Sequence, residues 1–149
     1  MAQRSFSATV SEWVAKTKQR QEAVYKGSAQ TIVSYMQTTR AAGGNLRVDT
    51  GFLRASLVAT TGAIPAVTFK PEGIDQFYYD SGPINLVISG AAITDPIIVA
   101  YTANYARARE YGARGQPGDR WVGLAAQLWV GVVQAECAKA QASVASRGG

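Results

Sequence analysis

The chain has 149 residues, of which 47% are hydrophobic and 17% charged. This is the balance of one globular domain, with fewer charges than the usual ~25%. With no His and a single Cys, the composition excludes imidazole acid–base catalysis, Ser-His-Asp and Cys-His triads, His metal sites, an internal disulfide and Cys-rich zinc sites. The net charge of +5 is unevenly placed: residues 1–54 carry +5, residues 55–100 carry −3 and residues 101–149 carry +3. A basic chain invites a nucleic-acid reading. Along the sequence, however, there is no dense Lys/Arg run, and aromatics are not interleaved with the basic residues as a stacking platform requires. Complementary contact between copies, acidic middle against basic end, fits the segregation at least as well.

Residues 9–40 read as a long helix. Thr9 and Glu12 have capping-box spacing, and Val10, Trp13, Val14, Thr17, Val24, Ser28, Ile32, Tyr35 and Met36 recur close to a 3.6 period. Ala41 to Asn45, with two glycines, stop it. At 1.5 Å per residue such a helix spans about 48 Å. A domain of this size is only ~38 Å across, so the helix must protrude or bend, and Gly27 is its one weakening residue.

The segment Val48 to Leu57 follows, with Asp49 or Thr50 as cap for a short turn at 51–55. A strand is expected at 57–60. Residues 61–83 are rich in Gly, Pro and aromatics, among them Phe69, Phe77, Tyr78 and Tyr79. A stretch this long without regular structure reads either as a functional arm or as a loop folded on its own core. The alternation of Ile84, Leu86 and Ile88 predicts a half-buried strand at 84–90, and 96–101 a better-buried one. Asn104 to Tyr111 reads as a short helical turn, Gly112 to Gly118 as a loop, and Asp119 as the cap of a second long helix at 120–145. Residues 146–149 are expected to fray. Helix, strands, then helix argues for an α+β fold: an antiparallel sheet packed against a long N-terminal helix and a C-terminal helix, with an extended loop or arm.

Little in this order marks chemistry. Glu72, Asp75 and Asp80 share the aromatic loop but lack calcium-loop spacing. No phosphate-binding glycine motif occurs. Arg114 and Arg120 flank a helix start where a phosphate could sit, although a plain connection explains that loop better. Trp13, Trp121 and Trp129 lie on helix faces as core or interface residues, and Cys137, among Ala and Val, reads as a small core residue. No segment has the length of a signal peptide's apolar run or of a membrane helix. No catalytic residue, cofactor or metal site is expected.

Two segments carry more than composition. Val48-Asp49-Thr50-Gly51-Phe52-Leu53-Arg54-Ala55-Ser56-Leu57 resembles a D-T-G-x-L-R-x-S-I/L pattern. Tyr105-Ala106-Arg107-Ala108-Arg109-Glu110-Tyr111-Gly112 resembles a Y-A-x-x-x-E-x-G-T pattern. Both belong to the tailed-phage neck, or head–tail joining, family (tail-component proteins, with the lambda minor tail protein Z as a distant relative). Ala113 departs from the usual Thr, Pro117-Gly118-Asp119-Arg120 departs from the usual Pro-Phe entry to the last helix, and 61–83 is longer than the common connection.

The resemblance implies a non-enzymatic virion protein, made in the host cytoplasm, that forms a hexameric or dodecameric ring. The ring would join portal-side adaptor or stopper proteins to the tail terminator or tail tube and let DNA pass without specific binding, with no membrane involved. Asp49, Thr50, Gly51, Leu53, Arg54, Tyr105, Glu110 and Gly112 are the residues it carries over, and Arg54 and Glu110 become partners if the two turns adjoin. Phe69, Phe77, Tyr78 and Tyr79 are the candidate contacts between copies. Two other readings stand beside this one: a tail-terminator or tail-completion ring, and a non-specific DNA-binding protein.

Overall fold

A computed structural model describes residues 5–147. The first element is α1 (Phe6–Gln37), an unbroken helix that passes straight through Gly27. Its cap is Ser5, whose Oγ accepts from the Ala8 N–H at 3.2 Å. Thr9 instead points its hydroxyl back to the Ser5 carbonyl, and Glu12 pairs with Lys16 one turn on, so the expected capping box at Thr9 starts one turn late. At the other end α1 stops at Gln37, and a 3-10 turn (Arg40–Ala42) closes on Gly43 in the left-handed region.

The apolar stripe of α1 has two fates. Val33 and Met36 enter the main core. Phe6, Val10, Trp13 and Val14 remain exposed. The helix therefore resolves its excess length by protruding.

Helix α2 (Phe52–Ala55) is the single turn expected from the sequence, and β1 (Leu57–Thr60) follows it directly. The strand pairs antiparallel with β2 (Ile98–Tyr101), Leu57 opposite Tyr101 and Thr60 opposite Ile98. Residues 61–81 form a long irregular loop that lies back on its own chain. Thr68 bridges to the 102–104 segment through two backbone hydrogen bonds, and Phe77 N–H donates to the Thr50 carbonyl at 2.9 Å.

The strand expected at 84–90 is a helix, α3 (Gly82–Gly90). Ile84 and Ile88 are buried while Leu86 is exposed. An i, i+4 pair satisfies both the strand and the helix period. The tie is broken by Pro83 in the first turn, where a missing N–H costs a helix nothing.

Helix α4 (Ala106–Tyr111) leads into a tight ribbon of β3 (Gly112–Ala113) and β4 (Gln116–Pro117), where a plain loop was expected. The predicted 120–145 helix is two: α5 (Trp121–Gln127) and α6 (Trp129–Ser146). They are joined at Leu128, whose N–H tightens onto the Ala125 carbonyl in an i→i+3 bond. Helix α6 packs along α1, with Glu136 lying over Gly27, where a Cβ would meet its carboxylate. Of the terminus expected to fray, Ser146 still belongs to α6, and residues 148–149 lie outside the described range.

The fold is thus α+β, a long N-terminal helix and a C-terminal helix around small antiparallel ribbons. Its core draws Val33 and Met36 from α1, Phe52 and Leu53 from α2, Leu57 from β1, Ile84 and Ile88 from α3, and Trp121 and Ala125 from α5. No helix among the described residues is long and apolar enough to cross a membrane.

Candidate functional site

The two segments singled out in the sequence meet in space. Leu53 and Phe52 are buried in α2, and the Phe52 ring contacts both Phe77 edge-on at 5.1 Å and Tyr105 at 6.2 Å. Burial raises the Tyr105 phenol pKa, opposed by its hydrogen bond with the Leu53 backbone. Gly51 has φ of +85°, and a Cβ there would collide with the Phe77 carbonyl. Only glycine supplies that backbone at no steric cost, which is why Gly51 and not Asp49 or Thr50 stands at the helix start. Thr50 contributes a hydroxyl that accepts from the Phe52 N–H at 3.3 Å. Asp49 is exposed at the rim.

Arg54 and Glu110 do not pair. The Arg54 guanidinium donates to the Gln37 carbonyl at 3.1 Å and stacks on the Tyr79 ring 5.2 Å away. Glu110, 6% exposed, turns the other way. Its two carboxylate oxygens accept from the Val122 and Gly123 N–H groups at 3.0 and 2.8 Å. It thereby satisfies two of the donors orphaned at the start of α5, aided by Arg120 at 4.0 Å. This is the capping role the sequence suggested for Asp119. Asp119 is buried instead, with Arg40 Nη2 and Arg47 Nε both 2.9 Å from its Oδ1. Gly112 has φ of +92° and turns the chain from α4 into the ribbon.

Around this turn lies an open basin of about 1000 Å³. Arg40, Arg47 and Asp49 come from the segment after α1, Arg54 from α2, Lys70, Phe77, Tyr78 and Tyr79 from the long loop, and Tyr105 and Arg109 from the α4 region. Of the four loop aromatics proposed as contacts between copies, Phe77 and Tyr79 are half-buried against the chain's own core. Phe69 and Tyr78 are exposed, Tyr78 at 78%.

A second surface was hidden from sequence reasoning. Between α1 and α6 runs an apolar groove of about 600 Å³ lined by Val24, Tyr25, Trp129, Val133, Cys137 and Val144 among others. Cys137 is exposed there, not in the core as its neighbours suggested, because α6 buries only Val132. Glu136 of α6 faces Gly27, while Trp121 and Ala125 of α5 share the core with Val33 and Met36, so α6 runs antiparallel to α1 and, at equal rise, reaches about residue 17. Before that point on α1, Phe6 is 85% and Trp13 65% exposed. Two-helix packing hides from a single-helix pattern how far each partner extends. The length difference between the helices was the available clue.

Among the described residues, no three Asp, Glu or Cys side chains converge as metal ligands. Comparison with family models, curated proteins and solved structures gave no match to this chain.

Proposed function

We propose that this chain is a structural assembly protein of a phage neck, whose copies associate through the α1–α6 surface into a ring between head and tail. The observation that carries the reading is the apolar surface left uncovered on these two helices. Phe6, Val10, Trp13 and Val14 are exposed on α1 and Trp129 and Val130 on α6, and Trp129 lines the apolar groove between the two helices. Exposed apolar surface that gathers into a patch marks an interaction site. The two exposed aromatics on the α1 overhang alone offer about 300 Å² of removable area, taking ~200 Å² per ring. The overhang and the groove are different surfaces of one chain, so a contact between them is heterologous and closes into a ring if the rotation allows. The resemblance at 48–57 and 105–112 supports the same reading, and the tight use of Gly51, Leu53 and Glu110 within the core gives those residues a scaffolding role.

Mass photometry and negative-stain imaging of the purified chain test it. A discrete closed ring is expected, lost in the Trp13→Ser variant with helicity retained. A chain that stays monomeric at high micromolar concentration, with or without Trp13, overturns the reading.

A further inference from the structure

We propose that the basin beside the α2 turn is a binding site for the phosphodiester backbone of nucleic acid. Along the sequence, the basic residues are scattered and form no dense run. The fold brings them together: Arg40, Arg47, Arg54, Lys70 and Arg109 line one concave surface with Tyr78, Tyr79 and Tyr105. Few carboxylates balance these cations. Asp119 is shared by Arg40 and Arg47 through a single oxygen. Lys70 is held by Asp75 at 2.9 Å. Arg54 is bonded to a carbonyl and a ring and, among the described residues, pairs with no carboxylate. Asp49 is the one acid in the lining itself.

One of the Arg40–Arg47 pair, together with Arg54 and Arg109, is therefore available to a polyanion. The geometry favours nucleic acid over an acidic protein segment because of Tyr78. Its ring is exposed at the rim, where it covers no core and offers a face on which a base can stack. A carboxylate-rich peptide has no use for that face. The contact is sequence-independent and weak, since three phosphates fix neither register nor base identity.

This inference stands apart from the ring reading, because binding is read whatever the assembly state. Fluorescence anisotropy of the full chain against a short labelled single strand, the matching duplex, and a poly-glutamate peptide tests it. With three phosphate contacts, single-strand affinity falls about 20-fold between 50 and 200 mM salt. Arg47→Gln with Arg109→Gln flattens that fall to about 3-fold. Arg40 still holds Asp119 in this variant, and Arg109 is exposed, so the fold is retained. The charge-matched control, Lys18→Gln with Lys139→Gln on the α1–α6 pair, leaves the fall unchanged.

Tyr78→Ala weakens the single strand about 10-fold, within the 1–3 kcal/mol of a stacked base. If the duplex binds as well as the strand and ignores Tyr78→Ala, the backbone site holds and duplex is its form. The proposal is overturned if the basin variant binds like the control, or if poly-glutamate binds as tightly as the oligonucleotide.

Discussion

Removing the Glu110 carboxylate tests the fold where its two recognisable segments are tied to the C-terminal half. In Glu110→Ala the Val122 and Gly123 N–H groups, which it receives at 3.0 and 2.8 Å, lose their acceptor. Hydrogen bonds to a charged group contribute about 1.5–3 kcal/mol each. Both donors belong to half-buried residues that water can partly re-solvate, so the lower figure applies and the pair contributes about 3 kcal/mol. The Arg120 contact at 4.0 Å, to a half-exposed guanidinium, adds less than about 1 kcal/mol. For a chain of this length, 3 kcal/mol corresponds to a fall in Tm of about 6–12 °C.

Glu110→Gln keeps one acceptor but turns an amide N–H₂ toward the second donor, and about 2 kcal/mol is lost. Urea unfolding followed by tryptophan fluorescence reads both variants, since Trp121 is buried at the first residue of α5. Protein concentration is held fixed so that assembly does not enter the difference. A double-mutant cycle with Arg54→Ala adds the decisive comparison. Because Arg54 turns its guanidinium to Gln37 and Tyr79 and makes no contact with Glu110, the coupling energy is below about 0.5 kcal/mol. A cost under 1 kcal/mol for Glu110→Ala, or a coupling well above that limit, would refute the capping assignment.

Further outcomes are expected elsewhere in the chain. Gly51→Ala forces a side chain into the left-handed region against the Phe77 carbonyl and destabilises by about 2–4 kcal/mol in the same urea assay. A neutral result would mean that the loop holding Phe77 yields freely. Cys137, exposed in the α1–α6 groove, reacts readily with maleimide in dilute monomer and slowly once copies associate. Equal rates in the two states would place the contact on another surface.

Burial raises the pKa of the Tyr101 phenol above its ordinary 10. The folded state thus holds this proton more tightly than the unfolded one, and the associated stability is complete below about pH 10 and lost as pH rises beyond it. The slope is up to about 1.4 kcal/mol per pH unit. Tyr101→Phe is expected to reduce the slope above pH 10, measured by urea unfolding across the range, with Tyr105 and Tyr79, also raised by burial, leaving a smaller remainder; an unchanged slope would assign it to other groups.

What the sequence made legible follows from the range over which each signal acts. The α2 turn, β1, α4 and the presence of β2 were readable because their determinants are local, although β2 is half-buried at every position and not the better-buried strand expected. A glycine with no side-chain penalty and a run of β-branched residues each act within a few residues. The α3 segment was misread for an equally local reason: with Ile84 and Ile88 four apart, strand and helix templates agree on the apolar positions, and Pro83 carries the deciding information.

The misassignments of Asp119, Cys137 and the basin each depended on a partner far along the chain. Asp119 sits where a cap belongs, yet Arg40 and Arg47, over 70 residues away in sequence, claim its carboxylate. The vacancy it leaves is filled by Glu110 from α4. Cys137 has core-like neighbours in sequence and an open groove in space, because α1 covers only one side of α6. The basin is the strongest instance. Scattered cations argued against a nucleic-acid surface when spacing along the chain was the measure. Five of them line one concavity once α2, the long loop and α4 are packed together. Spacing along a chain reports a binding surface only when one element carries it; this surface is carried by four.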